Sequence, residues 1–114
     1  RTVLLCSGKV AYELMAFREA NARTDVAILR CEQLYPLPVA GLLDGLAPFP
    51  DATIRWVQEE PANQGAWPFI ALNLPELIDR PVTGISRPPS SSPAAGAHHR
   101  HEAEQQAVVH RAFE

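Results

Sequence analysis

The chain has 114 residues, 46% hydrophobic and 20% charged, with ten Lys and Arg against thirteen Asp and Glu for a net charge of −3. That is one domain's worth of chain, too apolar to be disordered and long enough to bury a core. It has no basic footprint for nucleic acid or a membrane surface, and its longest apolar run, Ala66 to Leu72, is far short of the roughly 20 residues of a membrane span.

The chain begins at Arg1, not Met, and enters a strand-like run at once, which reads as a piece of something longer. Cys6 and Cys31 are the only cysteines, each in an apolar run and without CxxC spacing. They read as reduced, buried thiols, and with no signal-peptide pattern the expected compartment is the cytoplasm. Lys9 is the one lysine among ten basic residues, a bias to which the sequence attaches no mechanism.

Thr2 to Cys6 is short and continuously apolar, the pattern of a strand buried on both faces. Ser7-Gly8 turns the chain, with Ser7 a helix cap. Val10, Leu14, Met15 and Phe17 then give one apolar face to a helix from Lys9 to about Ala22. Val26 to Arg30 is the second strand and Glu32 to Pro38 a loop. A short helix with Val39, Leu42, Leu43 and Leu46 inward comes next.

Thr53 to Gln58 is the third strand, and Glu59 to Trp67 a polar loop. A helix from about Trp67 to Ile78 carries Phe69, Ile70, Leu72, Leu74 and Leu77 and should bend or break at Pro75. Val82 to Ser86 is the fourth strand, Arg87 to Ala97 an extended loop, and Glu102 to Phe113 a last helix with Ala103, Ala107, Val108 and Ala112 inward. Strand then helix, four times over, makes an α/β sandwich with a mostly parallel sheet and helices on both faces. Ligands and partners of such sheets meet the loops at the carboxyl ends of the strands, where the unusual residues of this sequence lie.

Ser7-Gly8-Lys9 after a strand reads as a plain capping turn or, through exposed N–H groups and the Lys9 charge, as an anion site. Glu59 and Glu60 are adjacent carboxylates, but consecutive residues diverge, so structure or an interface is the favoured reading over acid–base work. His98, His99 and His101 fix no third metal ligand and read as loop anchors at a helix entry. Trp56 and Trp67 read as core and interface aromatics. No complete catalytic constellation is present.

Four stretches occur in order: Leu5-Cys6-Ser7-Gly8-Lys9-Val10, Arg30-Cys31-Glu32-Gln33-Leu34-Tyr35-Pro36-Leu37-Pro38, Trp56-Val57-Gln58-Glu59-Glu60-Pro61-Ala62-Asn63-Gln64-Gly65-Ala66-Trp67, and His101-Glu102-Ala103-Glu104-Gln105-Gln106. Together with Arg87-Pro88, Ser92-Pro93-Ala94 and Gly96 they closely resemble the C-terminal end of the E1 component of 2-oxoglutarate dehydrogenase, over essentially the whole chain. The resemblance implies a three-layer α/β/α fold like the transketolase C-terminal domain, with residues 1–114 forming one domain of a larger enzyme. It implies a parent that decarboxylates 2-oxoglutarate with thiamine diphosphate and magnesium held by other domains, and succinylates the lipoyl arm of an E2 succinyltransferase. It implies a homodimer that this domain helps to pack, and assigns no catalytic residue and no turnover to these 114 residues alone.

Glu59, Glu60, Asn63 and Trp67 are the expected interface residues. The chain also resembles some actinobacterial relatives that are activated by acetyl-CoA, which implies Gln33 as an effector-binding residue, and the anion reading of the Ser7-Gly8-Lys9 turn adds Ser7 and Lys9 to it. The basic residues such relatives carry after Pro36-Leu37-Pro38 are here Val39-Ala40-Gly41, which removes charged partners for a nucleotide. The alternative is a free-standing α/β module that binds an acetyl-CoA-like or AMP-like anion or a partner protein.

Overall fold

The computed structural model describes residues 1–88 and 102–114 in full and residues 98–101 in backbone. The elements run β1 (Thr2–Cys6), α1 (Val10–Ala20), β2 (Val26–Arg30), α2 (Val39–Leu46), β3 (Thr53–Pro61), α3 (Trp67–Ile78), β4 (Thr83–Arg87) and α4 (His98–Ala112). The strands form one parallel sheet in the order β2-β1-β3-β4. The expected α/β sandwich is therefore present.

Alternation along the strands divides the interior into two cores. Leu4, Cys6, Val57 and Ile85 face α1 and α4, where they meet Val10, Leu14, Val108 and Phe113. Val3, Leu5, Ile54 and Trp56 face α2 and α3, where they meet Leu42, Leu46, Ile70 and Leu74. β1 supplies both cores, which explains its unbroken apolar run.

The helices bury narrower stripes than the sequence suggests. Each presents residues four apart to the sheet: Val10 and Leu14 in α1, Leu42 and Leu46 in α2, Ile70, Leu74 and Ile78 in α3. Met15, Leu43, Leu72 and Leu77, expected inward, are exposed because a helix on a flat sheet covers only one such row. In α4 the inward row is Gln105, Val108, Val109 and Ala112, while Ala103 and Ala107 are exposed. α3 also runs through Pro75, because Leu74 and Ile78 on either side of it are both buried and keep the stripe in register. It ends at Asp79, in the left-handed conformation.

β4 runs one residue later than expected, so Arg87 belongs to the strand and not the loop, α1 is shorter at both ends, and two other boundaries move further. β3 continues to Pro61, so Glu59 and Glu60 belong to a strand and not a loop, and pairing with β4 resumes at Pro61–Arg87 after a register shift. α4 starts at His98, ahead of the expected Glu102. The expected loop beyond Pro88, with Ser92-Pro93-Ala94 and Gly96, lies outside the described residues.

The arginine bias has a structural use. Arg55 donates to the carbonyls of Ala112 at 2.7 Å and Glu114 at 3.2 Å, and Arg23 to that of Phe113 at 3.0 Å, so two guanidinium forks hold the last turn of α4. Arg80 donates to Phe49 O at 2.8 Å and Ala52 O at 2.9 Å, fixing the connector into β3. Arg111 donates to Ser86 O at 2.9 Å. A planar multi-donor fork suits carbonyls that diverge from one another; an ammonium is a point charge.

Cys6 and Cys31 are free and buried, in opposite cores. Burial pushes the Cys6 thiol up to about 11, helped by the neighbouring Cys31. Burial raises Cys31 as well. Both stay protonated at neutral pH. The folded value lies above the unfolded one, so this stabilisation is present below the ordinary thiol range and is lost as pH climbs through about 11. Maleimide labelling of Cys6 at about pH 8, followed in a Cys31→Ala variant, should be roughly a hundredfold slower in the folded chain than in denaturant, from the thiolate fraction alone; equal rates would contradict this burial. Gly84 lies under the Trp67 ring, where a Cβ would be driven into the indole. Gly84→Ala should cost about 1–3 kcal/mol in chemical denaturation by overpacking.

Candidate functional site

In the order β2-β1-β3-β4 the chain first steps from β1 to one side, through α1, and then returns past β1 to the other, through α2. The direction of winding reverses between β1 and β3. In open parallel sheets the loops there part, one over each face, and leave a crevice at the carboxyl ends of the strands. A cavity of about 260 Å³ lies at that point, lined by Ser7 and Gly8 after β1, Leu34 after β2, Trp56 to Glu60 except Val57 on β3, and Ala66.

Gln58 organises its β3 side. It sits on the same face as Ile54 and Trp56 and is only 4% exposed. Its Oε1 accepts from Trp56 Nε1 at 3.0 Å and from the Trp67 backbone N–H at 2.8 Å. Its Nε2 donates to the carbonyls of Gln64 at 2.8 Å, Pro61 at 3.0 Å and Glu60 at 3.3 Å. One carboxamide thus satisfies the turn after β3 and the first residue of α3. Gly65, at φ +65°, lets that turn close against Glu60, whose side chain a Cβ at position 65 would meet at 3.0 Å.

Glu59 points to the other face. Its Oε1 accepts from Gln105 Nε2 of α4 at 3.0 Å, and the same nitrogen lies 3.3 Å from both carboxylate oxygens of Glu13. Gln105 Oε1 accepts from Arg87 at 3.3 Å, and Arg87 Nε lies 4.0 Å from Glu104. The two adjacent carboxylates thus diverge as expected, while both still border the cavity.

On the β1 side the reading of Ser7 as a cap does not hold. The residue at the cap position is Lys9, and no side chain caps α1. Gly8, at φ +78°, makes the turn, and open space surrounds the place of its Cβ. The glycine is required for the left-handed turn, which moves Ser7 off the helix start. Lys9 is exposed and outside the cavity lining. Gln33 is exposed on the neighbouring loop, 3.4 Å from Tyr35 O.

Of the expected site residues, then, Ser7, Glu59 and Glu60 share one cavity. Lys9, Gln33 and Asn63 do not line it, and Trp67 packs over Gly84 beneath the turn. Gln58, Gln105 and Arg87 went unread in the sequence. Gln58 was legible from parity, as a polar residue two steps beyond buried Trp56. Among the described residues no three His, Cys, Asp or Glu side chains converge as a metal site. The side chains of His98, His99 and His101 lie outside the described residues. Among the described residues no helix is long and apolar enough to cross a membrane.

A family model described as 2-oxoglutarate dehydrogenase C-terminal matches residues 1–113. Relatives named multifunctional 2-oxoglutarate metabolism enzyme are 48% identical: over 115 residues in Mycobacterium sp. (strain JLS), and over 117 residues in Mycolicibacterium vanbaalenii (strain DSM 7251). These alignments cover 97% and 99% of this chain but 9% of each relative, so the chain spans under a tenth of the curated proteins it matches.

Gln58→Leu removes every one of the carboxamide's contacts and leaves buried carbonyls unsatisfied. It should cost about 2–4 kcal/mol and red-shift tryptophan emission through Trp56 and Trp67. A variant with wild-type stability and emission would show that the amide does not hold the turn.

Proposed function

The chain belongs to the 2-oxoglutarate dehydrogenase C-terminal family, and from that premise we propose that it is a single non-catalytic domain that packs and positions the rest of a 2-oxoglutarate dehydrogenase-type enzyme. The parent, on this reading, oxidatively decarboxylates 2-oxoglutarate in the cytoplasm and succinylates the lipoyl group of an E2 succinyltransferase. The observation that carries the role of this chain is the built turn between β3 and α3. Its backbone is satisfied from within by Gln58, while Glu60 and Asn63 stay exposed on its rim. A rigid, internally satisfied turn with polar side chains outward loses little freedom when it docks, which suits a subunit or interdomain contact.

The cavity does not suit a diphosphate, because Glu59 and Glu60 border it with negative charge. On this reading thiamine diphosphate and its magnesium are held by the remainder of the parent. The same carboxylates weigh against the second reading, an acetyl-CoA-like or AMP-like effector, as the cavity's occupant. The switch point still favours some ligand at this end of the sheet, and Ser7, Lys9 and Gln33 mark the side of the rim an anion would use.

Glu60→Lys with Asn63→Lys in the full-length enzyme should leave the melting temperature nearly unchanged and weaken homodimer association by roughly tenfold in analytical ultracentrifugation. A dimer as tight as the wild type would refute this rim as the contact. Loss of stability in step with association would instead place these residues in the fold.

A further inference from the structure

We propose that α4 controls the shape of the strand-end rim, with Gln105 as the positioning residue that transmits its placement to Glu59. Three observations converge. First, Gln105 occupies an inward position of α4, in line with Val108, Val109 and Ala112, and is only 7% exposed. Its carboxamide is hydrogen-bonded at both ends, so it does more than fill space in the core.

Second, its two ends reach three other elements. Nε2 meets Glu13 of α1 and Glu59 of β3, and Oε1 meets Arg87 of β4. Two carboxylates share one amide nitrogen, and a guanidinium holds the oxygen of that amide. The Gln105 amide is a neutral donor placed between the two carboxylates. Its position is set by α4, whose far end is gripped by Arg55 and Arg23. A shift of α4 therefore moves the donor away from both carboxylates together.

Third, Glu59 also borders the switch-point cavity and is covalently next to Gln58, the residue that holds the turn after β3. When α4 is seated, the Glu59 carboxylate is drawn toward Gln105 and β3 ends in the register that Gln58 needs. When α4 lifts, Glu59 loses its amide donor and is freed to turn toward the cavity it borders. A partner or ligand that engages α4 thereby reshapes the rim without touching it. By reciprocity, anything that engages Glu59 loosens or tightens α4.

Hydrogen–deuterium exchange of the full-length protein tests this. Gln105→Met keeps the packing and removes the donor. Amides 59–66 should exchange roughly tenfold faster, while amides 3–6 in β1 stay at wild-type rates. Glu59→Gln keeps an acceptor for Gln105 and should remain near wild type, a rescue that a general loss of stability would not give. Glu59→Leu should speed exchange of α4 around residue 105 by a similar factor. That variant, at a partly exposed position, carries the test should Gln105→Met fail to fold. Unchanged exchange at 59–66 in Gln105→Met, or around 105 in Glu59→Leu, overturns the coupling. So does acceleration spread evenly over β1 as well.

Discussion

The rim of this domain depends on one buried carboxamide. Past Gln58 the chain must leave β3, turn back through Pro61 to Ala66 and start α3 at Trp67. That turn carries carbonyls pointing inward, where water does not reach them, and a helix start with an N–H to satisfy. Leucine at position 58 would satisfy neither. Glutamate would accept from Trp67 but donate to nothing, and would bury a charge. Only a side chain with acceptor and donors on one short planar group serves the Trp67 N–H, the Trp56 indole and the Gln64 and Pro61 carbonyls at once. With those groups satisfied from inside, Glu60 and Asn63 are left to face outward.

That requirement combines with topology. β1 lies between β2 and β3 and is buried on both faces from Val3 to Cys6, a stretch with no polar side chain. Function is thereby confined to the strand ends and the loops that leave them. The reversal of winding between β1 and β3 opens a crevice there, and the strand alternation decides what lines it. Residues 54, 56 and 58 look toward α2 and α3, and residues 55, 57 and 59 toward α1 and α4. Glu59 and Glu60 accordingly answer to different layers of the molecule although they are neighbours in the chain.

Much of this was legible. The strand starts at Thr2, Val26 and Thr53 and the bounds of α3 come from apolar runs and turn residues alone. Two kinds of information were not legible. Helix faces were drawn too wide, because Leu72 and Leu77 satisfy a helical period as well as Leu74 does, and only the flatness of the sheet selects the 70, 74, 78 row. In α4 small alanines give a weak signal beside Val108 and Val109, and no periodicity marks Gln105 as a buried position. The end of β3 was hidden for a related reason. Glu59-Glu60-Pro61 looks like a loop by composition, and strand pairing at Pro61 with Arg87 arises from a register shift that no local pattern encodes. Strand order, and with it the switch point, is a tertiary fact.

The arginines show how long-range contacts complete what local propensity leaves open. The last carbonyls of a helix have no partner within it, and those of α4 are met by side chains from elsewhere in the fold. Arg55 from the centre of the sheet and Arg23 from the turn before β2 supply the donors, across sequence separations of 59 and 90 residues. α4 is thus held at its end by side chains from two other elements and in its middle by a polar contact to three. Among the described residues its buried apolar share is Val108, Val109 and Ala112, with Phe113 just beyond its end. A helix seated by a short apolar stripe and directional polar contacts has a defined position, and that position is read out at both ends of β3: by Arg55 near the start of the strand and by Glu59 near its finish. A force on α4 therefore reaches the sheet along two strands, β3 through Arg55 and Glu59 and β4 through Ser86 and Arg87.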